Sequence, residues 1–347
     1  MSVDGSGLSR LALGCYALGG GYGKVDLDEA RATVDAAISA GWNFFDTAEA
    51  YLESEERLGE MLEGRREKVF IATKVFPCEP YSAANIEKAL QNSLEKLRTD
   101  YIDLYQLHGP QNWINDFEGS ASFDEIAETM RALLASGKVL NFGVCNMSVE
   151  TMQELHKRVQ LFSTQNLYSI FDQGQDDDEI HLPVGNQIIP WSMKNGVKFF
   201  AFSPLARGLL SDGQIASRIF PKNDERHFLP RFQPEIFPEW AAISIELEGW
   251  AKDHGINLVQ LAVAWTLSCD GVTSTLVGAK TPKQVEAFAG SESFVLSSSD
   301  FVEIKNIVAK LSPQASRAKS IVWDHFPPEA VQAMANQRHG RVNVVEL

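Results

Sequence analysis

Eight short apolar runs recur along the chain, most about 30 residues apart, and each is followed by a stretch with helical periodicity. The runs are the segment opening at Leu11, then Asn43–Asp46, Lys68–Lys74, Tyr101–His108, Val139–Val144, Leu161–Asn166, Val197–Phe202 and Thr273–Val277. Near-continuous apolar character marks strands covered on both faces, as in parallel sheets. The spacing is that of a βαβ unit, whose parallel strands require a crossover helix. The helices read clearly from their faces. In 28–40, Ala30, Val34, Ala37 and Ile38 share one side before Gly41 stops the helix; in 83–97, Ile86, Leu90, Leu94 and Leu97 do the same. Eight such units predict an α/β fold of the (β/α)8 TIM barrel type, with a doubly wound open sheet as the competing topology. The Gly-rich LALGCYALGGGYG does not follow GxGxxG directly with a helix, which weakens the open-sheet dinucleotide reading.

A barrel of this type takes about 250 residues, so a 347-residue chain carries surplus. It falls in a Pro/Gly/Arg/Phe-rich loop, 211–238, and in a tail after Pro313. No linker divides the chain. We expect a single barrel domain over 1–347, with its core at about 8–310 and a C-terminal extension at 313–347.

Hydrophobic content of 44% and charged content of 22% fit a soluble globular enzyme. A net charge of −15 argues against nucleic acid or an anionic membrane as partner and leaves a small molecule. Four dispersed cysteines form no CxxC, and seven histidines form no HExxH, so neither a disulfide framework nor a metal site is expected. No apolar stretch approaches the roughly 18 residues of a membrane span, and no apolar signal core opens the chain. The expected location is cytoplasmic.

Three successive runs end on polar groups: Asp46, Lys74 and His108. Tyr51 stands on the loop after the second run, in GWNFFDTAEAY. In a barrel these ends share one rim, so the four groups are expected to converge. Each alone has a plainer reading. A strand-end Lys or Asp usually forms an ion pair or a cap, a loop Tyr usually packs, and a rim His is usually a satisfied hydrogen-bonder. Their coincidence on three successive segments favours chemistry. A free phenol titrates near pH 10; an adjacent ammonium stabilises the phenolate and lowers that value. A carboxylate would hold the ammonium, and an imidazole could hydrogen-bond a carbonyl oxygen. Such a set can protonate a forming alkoxide. None of the four is a nucleophile with its own base, so the electrons must come from a hydride donor.

These residues resemble the aldo-keto reductase family, as a bacterial-type member, over about residues 8 to 310. The DxxxxY of Asp46 and Tyr51 with SEERLG behind it, the Lys of FIATK and the His of DLYQLH match the family tetrad. The resemblance implies an NADP(H)-dependent oxidoreductase that reduces an aldehyde or ketone, sugar-derived carbonyls included, to an alcohol. Tyr51 would be the general acid, tuned by Lys74 and Asp46, with His108 orienting the carbonyl. It also implies cofactor contacts. Gly14, Cys15 and Tyr16 join Asp46 at the first strand's end. Cys145 and Asn146 of GVCN, with Gln165, hold the nicotinamide amide, and Phe202 stacks where the family usually has Tyr. Ser203, Leu205, Arg207 and Gly208 of SPLARG cradle the pyrophosphate. Gly278, Ala279, Lys280 and Gln284 take the adenosine phosphate, at the place where barrels commonly bind phosphate. Lys280, with help from Lys283, supplies the cation a 2′-phosphate needs, while an uncharged Gln284 stands where the family often has Arg. NADP(H) is therefore expected to be preferred modestly, with NAD(H) accepted.

The chain departs from the family pattern at several points. Leu52 replaces the usual Gly after the Tyr. Cys145 replaces Ser, a weaker donor. Ala287-Phe288 replaces the Glu-Asn pair at the adenine, where Phe288 could stack instead. The loop after the fourth strand (109–122), the 211–238 loop and the tail are expected to wall the substrate site, with Trp113 as an aromatic wall beside Tyr51 and His108. The DERHFLPRF segment resembles the long loop of members acting on aldehydes and oxidised sugars. Two other functions compete. One is a cofactor-binding regulatory subunit with little turnover, like the potassium-channel β subunits. The other is a Schiff-base isomerase built on Lys74, which Asp46 disfavours because a nucleophilic Lys needs apolar surroundings.

Overall fold

The computed structural model describes residues 7–75, 81–109, 121–174, 182–212, 214–220 and 224–318. In chain order the elements are β1 (Leu11–Gly14), α1 (Tyr16–Gly19), α2 (Leu27–Ser39), β2 (Phe44–Asp46), α3 (Ser54–Met61), β3 (Phe70–Val75), α4 (Ala83–Leu97), β4 (Leu104–Leu107), α5 (Phe123–Ala135), β5 (Phe142–Cys145), α6 (Val149–His156), β6 (Ser163–Leu167), α7 (Ile189–Asn195), β7 (Lys198–Phe202), α8 (Phe237–Asp253), α9 (Leu258–Leu267), β8 (Val272–Val277), α10 (Pro282–Ala287), α11 (Ser298–Val308) and α12 (Pro313–Arg317). The eight strands pair in parallel and in sequence order, and β8 closes on β1 through Leu11–Thr275, Ala12–Leu276 and Leu13–Val277. Closure rules out the open doubly wound sheet.

Period-two alternation along each strand divides its apolar residues between two environments. Ala12, Phe44, Phe70, Ala72, Leu104, Phe200 and Leu276 fill the barrel interior. Their neighbours Leu11, Leu13, Phe45, Ile71, Tyr105 and Phe199 face the helix layer. Both environments are buried, which is why the strands read as unbroken apolar runs. Inside, Phe44 meets Phe70 edge-on at 5.3 Å and Phe200 at 4.9 Å between ring centres, geometries that aromatic quadrupoles favour. Gly143 is needed there, because a Cβ on it would lie 2.6 Å from Ser163 Oγ.

The helices start where side-chain caps permit. Ser122 with Glu125, Asn257 with Gln260 and Ser297 with Asp300 form reciprocal capping boxes at α5, α9 and α11. Before β7 a π-helical turn over Val184–Ile188 runs into α7. Helix α3 begins at Ser54, two residues after Leu52, whose left-handed φ of 52° no α-helix admits. In the 211–238 loop, Arg231 is a buried anchor. Its guanidinium donates to both Asp172 oxygens (2.6 and 2.9 Å) and to the Ala318 carbonyl (2.8 Å), and lies 4.3 Å over the Trp240 ring. It ties this loop to the loop after β6 and to the chain beyond α12. Among the described residues no helix is long and apolar enough to cross a membrane.

Candidate active site

The phase that points Phe44, Ala72 and Leu104 into the barrel carries on to the strands' C-terminal ends. Two residues beyond Phe44 stands Asp46; two beyond Ala72, Lys74; four beyond Leu104, His108. The same phase places Gly14, Cys145, Gln165, Phe202 and Gly278 at the ends of β1, β5, β6, β7 and β8, where neighbours pair as Gly14–Asp46 and Cys145–Gln165. These candidate residues are thus the top layer of the barrel's own interior.

Lys74 is completely buried and Asp46 nearly so. The ammonium donates to Asp46 Oδ1 (2.6 Å), to the Thr47 carbonyl (2.8 Å) and to the Tyr51 hydroxyl (3.4 Å). Those three bonds use all three of its donors. Its charge also sits 4.7 Å from the Tyr51 ring centre. The phenol ring is held edge-on between Tyr16 (5.1 Å) and His108 (5.7 Å). The loop carrying Tyr51 is clamped from below: a Cβ on Gly19 would lie 1.9 Å from the Tyr51 carbonyl oxygen, so only glycine permits the approach. Asp46 is braced on its other oxygen, where Gln165 Nε2 donates at 2.8 Å. Gln106, two residues before His108 on the same face, also pulls on this carboxylate, short of good hydrogen-bond geometry. Sequence reasoning passed over Gln106; its signal was a lone amide in phase with His108.

Burial and charge work against each other here. Burial raises the Asp46 pKa, opposed by Lys74 and the two amides. Burial alone would lower that of Lys74, but Asp46 beside it outweighs this and raises it. The raised pKa keeps Lys74 protonated beside Asp46, so it is not available as a Schiff-base nucleophile. The sequence reading expects Lys74 to bring the Tyr51 phenol below its ordinary value. In the structure the opposite holds: burial outweighs Lys74 and pushes Tyr51 up to about 12.

The residues expected to grip a cofactor ring this centre. Cys15 is buried, and its backbone N–H donates to the Asp46 carbonyl at 2.8 Å. The Cys145 thiol donates to Gln106 Oε1 at 3.7 Å, and Asn146 turns beside it with a φ of 52°. After β7, Ser203, Ala206 and Arg207 are all left-handed, and Gly208 follows them. The loop is closed on itself: the Ala206 and Gly208 N–H groups donate to the Ser203 and Leu205 carbonyls, each at 2.9 Å. A Cβ on Gly278 would meet open space. Lys280 is exposed and donates to the Tyr22 carbonyl (2.7 Å), while Gln284 accepts from the Lys280 N–H (2.6 Å). Arg226, which sequence reasoning did not single out, bonds Asp224 at 2.6 Å, reaches the Arg207 carbonyl at 3.3 Å and stands over the Tyr22 ring at 5.2 Å. Partial desolvation of its ammonium, with Arg226 nearby, lowers the Lys280 pKa although the residue as a whole is exposed. One expectation fails: Phe288 is 2% exposed and packs against Trp42 at 5.9 Å, so it serves the core and offers no face to adenine. Trp113 lies outside the described residues, as do most of the loop 109–122 and the tail after 318.

A parallel eight-stranded barrel with Asp, Lys and His at adjacent strand ends, and a Tyr on the loop after the first of them, defines a class of oxidoreductase. The Aldo/keto reductase family model matches residues 10–309, and the chain belongs to that family. It is similar to "Aldo-keto reductase YhdN" of Bacillus subtilis (strain 168), 31% identical over 313 residues, 86% of this chain and 90% of that one. Among solved structures it resembles the glycerol dehydrogenase AKR11B4 from Gluconobacter oxydans (29% identity, TM-score 0.75, covering 92% of this chain and 96% of that one). It also resembles an aldo/keto reductase from Klebsiella pneumoniae solved with NADP and acetate (25% identity, TM-score 0.67, covering 90% and 96%).

Proposed function

We propose that this oxidoreductase interconverts aldehydes or ketones, sugar-derived carbonyls among them, with alcohols, using NADP(H). The barrel is its catalytic core at about 8–310, and 313–347 is an extension to it. The observation that carries the reading is the Tyr51 hydroxyl within reach of a fully buried ammonium and flanked by His108. Tyr51 holds the proton that a forming alkoxide takes. Lys74, fixed by Asp46, faces the phenolate left behind, and His108 orients the carbonyl oxygen. A nicotinamide dinucleotide, when bound, would supply the hydride. Gly14, Cys15, Tyr16, Cys145, Asn146, Gln165 and Phe202 would hold its nicotinamide end. Ser203, Leu205, Arg207 and Gly208, with Gly278, Ala279 and Lys280 beyond β8, would hold its phosphates. The Klebsiella neighbour, solved with NADP, supports this choice. The test is consumption of NADPH with a panel of aldehydes, ketones and oxidised sugars. Tight cofactor binding without turnover of any would favour a regulatory subunit instead.

The Tyr51 pKa gives the reaction a pH signature. Raised to about 12, the phenol keeps its proton throughout the neutral range, so it is competent as an acid and scarce as a base. Carbonyl reduction should be nearly flat between pH 6 and 9. Alcohol oxidation, which needs the phenolate, should rise about tenfold per pH unit over that range. Initial rates in both directions decide it; oxidation independent of pH would contradict the assignment.

Preference for NADP(H) rests on Lys280, whose ammonium the Tyr22 carbonyl already holds in place. A charge-assisted bond to a 2′-phosphate is worth about 1.5–3 kcal/mol. Lys280→Ala should therefore raise the Kd for NADPH by about 10- to 100-fold and that for NADH very little. Equal losses for both would show that Lys280 does not read the phosphate. Gln284 adds only neutral bonds, so NADH should remain measurably accepted.

A further inference from the structure

The hydroxyl of Ser54 ties together the segments that meet at the Tyr51 loop. Ser54 opens α3 and is completely buried. Its Oγ donates to the Cys15 carbonyl, just past β1, at 2.8 Å. That bond uses the hydroxyl's one hydrogen, so the Thr47 hydroxyl, 2.9 Å away, is the donor to Ser54 Oγ. The Ser54 N–H donates to the Tyr51 carbonyl at 2.9 Å. Each partner bears on the candidate centre. The Cys15 N–H donates to the Asp46 carbonyl (2.8 Å), the Thr47 carbonyl accepts from Lys74 Nζ (2.8 Å), and Tyr51 carries the phenol. The segment 47–53 belongs to no helix or strand, so bonds of this kind decide where the Tyr51 ring stands. Placement matters here because the Tyr51 hydroxyl lies 3.4 Å from Lys74 Nζ, at the outer limit of a hydrogen bond, where a small displacement loses it. We propose that Ser54 is a positioning residue for the proton transfer. Its hydroxyl fixes the start of α3 to Cys15 and Thr47, and its N–H passes that constraint to Tyr51, so that the phenol stays in register with the Lys74 ammonium. This rests on the reductase reading above.

The test makes Ser54→Ala and Thr47→Val, each in the wild type and in Tyr51→Phe, and follows reduction of butanal and glyceraldehyde by NADPH. Ser54→Ala keeps the N–H bond to Tyr51 but frees the start of α3 from Cys15 and Thr47. A misplacement of about 1 Å can cost about 10²-fold in rate, so a partial loosening should lower kcat about tenfold. The KM for either aldehyde and the Kd for NADPH should stay within about twofold, since no group that binds them is removed. In Tyr51→Phe no phenol is left to position, so the same substitution should lower the residual kcat by less than about twofold. The thermal midpoint should fall alike in both backgrounds, because the buried bonds are lost in each. Dependence of the kinetic loss on Tyr51, with no such dependence of the stability loss, is an outcome that a merely structural hydroxyl cannot give. Thr47→Val removes one bond of the set and should follow the same pattern at about threefold, which keeps the test open if Ser54→Ala does not fold. An unchanged kcat in both variants, a loss expressed in KM or Kd, or a kcat loss of equal size in the two backgrounds would overturn the role of Ser54 and leave the reductase reading standing. No turnover of any aldehyde, ketone or oxidised sugar by the wild type would overturn both.

Discussion

Tyr51→Phe is expected to lower kcat for carbonyl reduction by about 10²-fold or more, the range that a positioned general acid supplies. The substitution removes one O–H and little else. A phenyl ring keeps the edge-on contacts with Tyr16 and His108 and the approach of the Lys74 charge to its face. The backbone is held by Gly19 whatever the ring carries. The Kd for NADPH should therefore move by less than about twofold, since one weak bond from Lys74 is all that is lost. The rise of alcohol oxidation with pH should vanish with the phenol. Turnover within a few-fold of wild type would remove Tyr51 from the chemistry proposed here. A comparable loss of NADPH affinity would mean that the loop had moved and the variant reported on structure.

Most of the barrel, and the four converging residues, could be read from the sequence for one physical reason. Buried parallel strands must be apolar on both faces, so a polar residue at the end of such a run stands out. Asp46, Lys74 and His108 were visible in this way, and their inward phase follows from Phe44, Ala72 and Leu104. Gln106 shares that phase but sits inside its run, where one amide reads as tolerated polarity; only the fold brings it against Asp46. Contacts made across long sequence separations were not legible at all. Arg226 meets Tyr22 and Arg207, and Arg231 joins Asp172 to Ala318, through loops whose course no periodicity encodes. The Tyr51 pKa was misjudged because a sequence names the ammonium and not the depth of burial around it. Phe288 was misplaced for a similar reason: an aromatic residue at the end of a short helix can face either way, and here Trp42 receives it.

Lys74→Met should be costly twice over, and the two losses can be separated. The ammonium is fully buried and, among the described residues, is the only cation bonded to Asp46. Removing it strands a carboxylate in the barrel interior, with Gln165 as its remaining well-formed partner. Breaking one half of a buried pair in this way typically costs about 3–5 kcal/mol. That is a large fraction of the roughly 5–15 kcal/mol by which a domain is stable. Replacing both partners is a different matter, because two neutral groups of similar volume leave no unpaired charge. The double variant Asp46→Asn, Lys74→Met should therefore recover most of the lost stability in urea denaturation. It should recover none of the activity, because the phenolate that forms as Tyr51 gives up its proton would have no cation facing it. If activity returned together with stability, Lys74 would be a structural residue whose place at the end of β3 served the fold alone. If stability did not return, the strength of this centre would lie in the bonds from Lys74 to Thr47 and Tyr51 and not in its charge pair.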